Sequence, residues 1–455
     1  MTRSLSVVGG GPAGLAVAHY ATRAGIPTTL FERSAELGGL CRTFQCGAHR
    51  YDAGAHRFHD QDPESTADVR ALLGTRLVAV EAPSRIYDGR RFIDFPPTPL
   101  GMLLSGGIAQ IGRVARDLVR SRLPGPPCVS FADFAIAQFG ETLARRFLIH
   151  YSEKLWGLPA EQLSPDIATR RLSGMTLRSL LVELLAPRRK VEHIDGRFLY
   201  PLGGYGELPA ALAASVPARS LRTEHDVSGF EVRDDRITAI HLKGRPSVEV
   251  ADRLVSTLPV TVLVRLLGDV VPETARRAAG TLRFRSVRLM FVRLARSRVS
   301  PSASLYLPDP SLCVARVTEP KNRSPHMAPA HETSLVAEVP CFAGDPLAKL
   351  SDVALAERVT DELAGVGLIA PREVLEWRHH LLPNAYPVYA LDWSRTVAAV
   401  VAGLRPLRNL DLLGRGGLFF YSHLHDQLRL GREFVRHLGR PEARPDRAES
   451  RAEPM

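Results

Sequence analysis

Ser4–Val8 is a short, largely apolar run that stops at a glycine cluster. This is the pattern of a buried parallel strand. Pro12–Ala24 then carries small and apolar residues at helical spacing, and Thr28–Phe31 predicts a second strand closed by Glu32. Together these runs predict a strand–helix–strand start. Residues 100–190 read as mostly helical, because Leu100–Leu123 and Phe131–Leu148 repeat apolar positions at i, i+3 and i+4. Asp226–Asp235 and Arg236–Leu242 alternate like the arms of a hairpin with its turn at Asp234-Asp235. Arg253–Leu258 predicts a short strand ending at Pro259. Residues 284–345 hold several strand-like runs, among them Val287–Leu294 and Leu335–Val339. Leu410–Leu413 predicts another buried strand, followed by a glycine-rich turn and a helix near Gln427–Leu438. The polar, charged, Pro-containing stretch after Arg440 predicts disorder. There is no internal repeat.

At 455 residues the chain is too long for one compact core, so two or three structural units are expected. A hydrophobic content of 45% fits a globular protein. With aromatics at 7% there is no stacking platform for nucleic acid, and none is expected as a partner. The formal charge of +11 comes mostly from Arg, with no long basic run, so a solvated Arg-rich surface accounts for it as well as an anionic ligand does. Five widely spaced cysteines without a CxxC argue against a disulfide framework or a zinc site and suit a reducing cytoplasm. No signal peptide is expected ahead of the first strand. The apolar stretch Pro99–Ile111 is broken by Ser105, Gly106 and Gly107 and is too short to span a bilayer, which leaves a peripheral membrane contact open.

The chemistry begins at Gly9-Gly10-Gly11-Pro12-Ala13-Gly14. Gly9 suits the tight turn, Gly11 lets backbone approach a pyrophosphate, and Gly14 lets helix and strand pack closely. The helix N-terminus adds unpaired N–H groups and a partial positive charge. Glu32 stands at the end of the second strand, where a carboxylate accepts ribose hydroxyls. A glycine turn without a ligand would not predict that acid. The pattern therefore predicts a dinucleotide site.

Leu37-Gly38-Gly39-Leu40-Cys41-Arg42-Thr43 resembles the GGxxRT segment of the flavin amine oxidase and protoporphyrinogen oxidase superfamily. That favours FAD over NAD. Tyr51-Asp52-Ala53-Gly54-Ala55-His56-Arg57-Phe58-His59 resembles the segment under the isoalloxazine ring in two related groups. One is a group of bacterial protoporphyrinogen oxidase-like proteins (GGHRF) and the other is UDP-galactopyranose mutase (GxHxFH). Tyr151–Gly157 is similar to their YTEKxWG segment, and Tyr200–Gly206 to their glycine turn. Arg285–Arg288 resembles a strand motif facing substrate. Arg316–Pro325 and Glu338–Cys341 resemble the oxidoreductase-like group in particular, while Asn384–Tyr389 and Gly414–Gly417 resemble the closing FAD segment of both. The matches run in order from residue 4 to about 438. The resemblance implies non-covalent FAD held by Gly9, Gly11, Pro12, Ala13, Gly14, Glu32, Arg33, Gly39, Leu40, Arg42, Gly54, Ala55, His56, Val227, Gly414 and Arg415. One departure matters. The mutases carry an Arg-Tyr pair after the closing turn, whose Arg holds the nucleotide-sugar diphosphate, and here the pair reads Phe420-Tyr421.

Catalytic candidates are His56, His59, Arg285 and Tyr421. Either histidine could bind substrate or tune the flavin, or be a packed residue. Trp156 reads as core and Lys154 as structural. Arg283 and Arg285 share one face of a strand and Arg288 takes the other. That face either lines a pocket for an anionic group or is a solvated sheet face. No metal cluster is visible.

The expected fold is α/β, with a glutathione-reductase-like, Rossmann-type FAD-binding domain and a second α+β substrate domain. The expected division gives residues 1–95, 205–262 and 375–440 to the FAD domain, 96–204 and 263–374 to the cap, and 441–455 to a disordered tail. The implied function is an FAD-dependent oxidoreductase taking a hydride from a small-molecule substrate to flavin N5. The alternatives are a non-redox nucleotide-sugar mutase and a non-catalytic flavin-binding partner protein.

Overall fold

A computed structural model of the chain describes residues 4–95, 112–117, 119–120, 127–171 and 197–438. Leu5–Val8 is buried along its whole length because it lies mid-sheet. It pairs in parallel with Thr28–Phe31 on one side and Arg253–Ser256 on the other. Leu410–Leu412 and Leu221–Arg222 complete a five-stranded parallel sheet. Parallel strands need cover on both faces, which explains their unbroken apolar runs. Helix Pro12–Arg23 covers one face and packs against helix Leu424–Leu438. The two helices approach closely at Gly431, where a Cβ would lie 2.9 Å from the Ala16 Cβ. The other side carries an antiparallel sheet of Val227–Arg233, Arg236–Leu242 and Arg245–Glu249. The expected turn at Asp234-Asp235 is present, with φ of 48° and 59°. Two consecutive positive φ values match strand twist, and Asp tolerates them better than most residues.

A second sheet of seven strands has the order Val374–Pro387, Phe284–Leu294, Thr333–Cys341, Arg316–Thr318, Ser304–Tyr306, Ser84–Tyr87, Phe92–Phe95. Every residue of Thr333–Cys341 is buried. One face, with Leu335, Ala337 and Val339, packs on Leu355, Val359 and Leu363 of helix Asp352–Gly365. The opposite face brings Val287, Leu289 and Phe291 against Tyr51 and Ala53. Ser84–Tyr87, Phe92–Phe95 and Val374–Pro387 thus belong to this sheet, and the expected divisions at 95 and 375 do not follow sheet membership. The reason is that local alternation reveals a strand but not its distant partner.

The helix expected over Phe131–Leu148 is broken. Phe131–Phe139 starts with a capping box between Ser130 and Asp133 and stops at Gly140, whose φ is 74°. Helix resumes at Glu141, widens to a π turn over Ala144–Ile149 and continues through His150–Trp156. Most of Leu100–Leu123, the stretch Pro99–Ile111 and the tail after Arg440 lie outside the described residues, though 112–117 are helical. Among the described residues no helix is long and apolar enough to cross a membrane.

Candidate active site

The first strand delivers the chain into Gly9, which takes φ +105° while its N–H donates to the Phe31 carbonyl at 2.8 Å. Gly11 is extended and caps the helix without a side-chain bond, leaving helix N–H groups to point outward. A Cβ built on Gly11 meets nothing within 4 Å, so open space faces the turn. The second glycine segment lies directly against the first. A Cβ on Gly39 would stand 3.1 Å from the Gly11 Cα, and the Gly38 N–H donates to the Gly10 carbonyl at 2.8 Å. Glu32 is fixed at the strand end by the Gly10 N–H at 2.7 Å and by the Ser34 N–H at 3.0 Å and hydroxyl at 2.5 Å. A carboxylate has about four acceptor positions, so it can still take a ribose hydroxyl. Open space before Gly11, outward N–H groups and an anchored acid fit a dinucleotide diphosphate and ribose.

The other expected cofactor residues fall around this turn. The Glu32 N–H donates to Arg222 and the His225 N–H to the Glu32 carbonyl, which brings the start of strand Val227–Arg233 alongside. Gly414, at φ +82°, sits against Ala13 at the head of the first helix. Arg42 Nε donates to the Gly39 carbonyl at 3.0 Å and so ties the second turn. Arg33 is exposed. Arg415 donates to the Ala385 carbonyl at 3.2 Å and the Ser422 carbonyl at 2.5 Å, with its guanidinium 4.8 Å from the Tyr421 ring centre.

Gly54, Ala55 and His56 form a compact turn held from two sides. The Ala53 N–H donates to the Arg42 carbonyl at 2.9 Å, and the Ala55 N–H donates to Glu338 Oε1 at 3.1 Å. His56 Nε2 lies 2.8 Å from the Leu40 carbonyl, and its ring stacks on Tyr205 at 4.9 Å and 18°. A carbonyl only accepts, so Nε2 carries the proton and Nδ1 is the bare nitrogen. Burial, and then the nearby Arg415 charge, push the imidazole down to about 3, so it is neutral near pH 7.

Glu338 also binds Arg316 through three contacts of 2.6–3.1 Å. Arg316 in turn lies 3.3 Å from the Tyr386 hydroxyl. Tyr386 and Tyr421 are parallel, with centres 6.0 Å apart at 19°. Trp156 meets both edge-on at 5.9 Å and stacks on Tyr389 at 5.9 Å. Burial and the Glu338 charge raise the Tyr386 phenol above its usual range, so it stays protonated. His59 packs edge-on to His423 at 5.4 Å, and His423 packs edge-on to Tyr421 at 5.6 Å.

Trp156 is fully buried, as a core residue is. Lys154 is structural in its contacts, donating to the carbonyls of Leu307 at 2.8 Å and Val314 at 3.0 Å, and burial lowers its ammonium to about 8.

Arg285 is buried, with 7% of its surface exposed. It pairs with Asp345 at 2.7 Å, donates to the carbonyls of Pro340 and Lys154, and lies 4.3 Å from the Phe342 ring centre. Arg288, on the other face, holds Asp352 and the carbonyls of Leu347 and Leu350. Both guanidiniums brace the sheet, and the burial of Arg285 sets aside the solvated-face reading. Sequence reasoning missed Tyr205 as the partner of His56, and Glu338 as the link between the substrate sheet and the His56 turn. Both sit in recognised segments, but nothing local to them signals those contacts.

The chain belongs to the flavin containing amine oxidoreductase family, whose profile matches residues 12–423. It is accordingly a flavoprotein of an oxidoreductase family, with FAD as its cofactor. Coproporphyrinogen III oxidase of Mycobacterium leprae is 26% identical over 303 residues, which are 61% of this chain and 64% of that protein. The chain thus spans less than two thirds of the length of the curated relatives it matches. Reduced UDP-galactopyranose mutase shares the fold with a TM-score of 0.83 at 21% identity, covering 96% of this chain and 95% of that one. Putrescine oxidase bound to putrescine shares it with a TM-score of 0.68 at 16% identity, covering 96% and 99%.

Proposed function

We propose that this enzyme oxidises a small organic substrate by hydride transfer to flavin N5, in the manner of the protoporphyrinogen and amine oxidases. FAD supplies the two-electron acceptor when bound. The first glycine turn and Glu32 would hold its diphosphate and ribose, and the Gly54–His56 turn would lie on the side of its reacting ring. The parallel Tyr386 and Tyr421 rings and the buried Trp156 form an aromatic cluster tied to this turn through Arg316 and Glu338, a wall that would orient a substrate and exclude water. The carrying observation is that Arg316, the guanidinium beside the two tyrosines, is already held by three contacts to Glu338. His56 is neutral, the Tyr386 phenol stays protonated, and Arg316 is locked to Glu338. Hydride transfer needs position and dryness more than a strong protein acid. The bidentate hold on a nucleotide-sugar diphosphate needs unengaged guanidiniums at this spot, and Phe420 stands where the mutases place an Arg.

His59 is the feature that favours the mutase reading, through its place in the GxHxFH resemblance. Anaerobic mixing of oxidised enzyme with candidate substrates decides between them. Hydride transfer bleaches the oxidised-flavin absorbance band in a single turnover. Activity seen only after dithionite reduction, with the flavin still reduced while a sugar ring isomerises, would show the mutase reading to be right.

A further inference from the structure

Strand Val374–Pro387 runs for 14 residues and stands at the end of the seven-stranded sheet. Its inner edge pairs with Phe284–Leu294, and among the described residues no strand pairs with its outer edge. Beside it lies a groove of about 620 Å³, lined by Asp352 and by the six consecutive residues Val374–His379. Leu375 and Leu381 on the strand are exposed, as is Val353 next to Asp352, whose carboxylate meets His379 at 2.9 Å. A long edge that combines unpaired backbone groups with exposed apolar side chains is a template for one more strand.

Charged side chains on an edge usually block such pairing, and this edge carries Glu376, Arg378, His379 and His380. Their order favours one kind of partner. Two identical strands pair antiparallel about a two-fold axis that sets one residue opposite its own copy, because facing side chains must lie on the same side of the sheet. With Trp377 on the axis, Glu376 of each copy stands opposite Arg378 of the other. Leu375 then faces His379 and Val374 faces His380, so no like charges meet. Moving the axis one residue back sets Glu376 against its own copy, and moving it one residue on does the same to Arg378. Like charges directly opposite are destabilising, so the first register wins. Within each chain Arg378 already contacts Glu376, and Glu376 lies 3.7 Å from Arg293, which holds these charges on one face of the strand.

We propose that this edge is a self-association surface, on which two copies pair antiparallel through Val374–Leu382 with Trp377 at the two-fold axis. Two seven-stranded sheets then become one. The charge pattern selects a second copy over an unrelated strand, since Glu376-Trp377-Arg378 is its own complement when reversed. The extent of the free edge is set by the chain itself. Pro383 has no N–H to donate, and beyond it the Ala385 carbonyl accepts from Arg415. The same strand carries Tyr386 into the aromatic cluster, so a partner here would brace the strand that bears one ring of the candidate active site.

Sedimentation equilibrium of FAD-loaded, full-length protein across a dilution series should give a mass of two chains at the concentrated end. Glu376→Arg sets a positive charge against the partner's Arg378 twice and should raise the dimer dissociation constant by about tenfold or more. The double exchange Glu376→Arg with Arg378→Glu puts opposite charges back across the axis and should restore the dimer. Trp377→Cys places two thiols face to face, with Cα atoms about 4.5–5.5 Å apart, within reach of a disulfide. It should cross-link on mild oxidation, read by non-reducing electrophoresis. Leu375→Cys, roughly 14 Å from its own copy along the strand, should not. Visible flavin absorbance shows that each variant has folded. A wild-type protein that stays monomeric throughout the series overturns the proposal and leaves the edge to a strand of another protein. A dimer that survives Glu376→Arg, a double exchange that fails to restore it, or cross-linking at Leu375→Cys in place of Trp377→Cys overturns the register and with it the surface.

Discussion

The Glu32 carboxylate accepts from Gly10 and Ser34, and these bonds aim it at the end of strand Thr28–Phe31. Replacing it with Ala removes the ribose acceptor and leaves the Gly10 N–H without its partner. A bond to a charged group is worth about 1.5–3 kcal/mol, so Glu32→Ala should weaken FAD binding by roughly 10- to 100-fold. Flavin fluorescence titration measures this, and circular dichroism should show the fold intact. An unchanged FAD affinity would remove Glu32 from the site.

His56 supports a pH prediction of definite sign. Its folded-state value is about 3 against an ordinary 6.5, so in that window the unfolded chain binds a proton that the folded chain refuses. Stability must then fall as pH drops from 6.5 toward 3 and be fully present above 6.5. His56→Gln can still donate to the Leu40 carbonyl but does not titrate there. The urea midpoint should decline less steeply with falling pH in the variant than in wild type. Equal slopes would mean that the imidazole is not held neutral.

At the scale of elements, two glycine turns meet as a single surface. Gly39 has φ +53° and stands against the Gly11 backbone. Gly39→Val strains a left-handed position by about 1–2 kcal/mol and forces the turns apart, because backbone cannot yield as a side-chain tip can. The expected result is a folded protein that purifies without yellow colour and does not take up added FAD. Normal flavin content in the Gly39→Val protein would show that the second turn does not contact the cofactor. Element-level reading succeeded where the signal was local. Asp234-Asp235 turned the hairpin as expected, and Leu410–Leu412 formed a parallel strand. It failed at Phe131–Leu148, where the apolar repeat runs through Gly140 although the chain turns there with φ 74° and ψ 154°.

At the scale of the whole molecule, the expected cofactor residues come from chain segments far apart in sequence, including Gly9–Gly14, Glu32, the start of strand Val227–Arg233 and the Gly414 turn. Unfolding separates all of them, so FAD should bind the folded state alone. Free FAD at about 100 times its dissociation constant should then add about 2.7 kcal/mol of stability. Thermal scans of apoprotein across an FAD series should show a melting temperature that climbs with concentration. A melting temperature indifferent to FAD would mean either no binding or equal binding to the unfolded chain.

The sequence by itself determined the start of the nucleotide fold. Strand, glycine turn, helix and acid all lie between Leu5 and Glu32, where chain connectivity alone brings them together. Only the tertiary structure decided the chemistry of the charges. Arg316 faces Glu338 because of an antiparallel register between two strands, and Glu338 reaches Ala55 across 283 residues of chain. In sequence Arg285 reads equally as a pocket residue or as part of a solvated face, and only packing places Asp345 and two carbonyls around it. Arg57 and Arg323 share Ser304 because Ser84–Tyr87 pairs with Ser304–Tyr306. A guanidinium's role depends on which groups surround it and how much water is excluded. Both are set by long-range strand pairing, which a linear pattern does not encode.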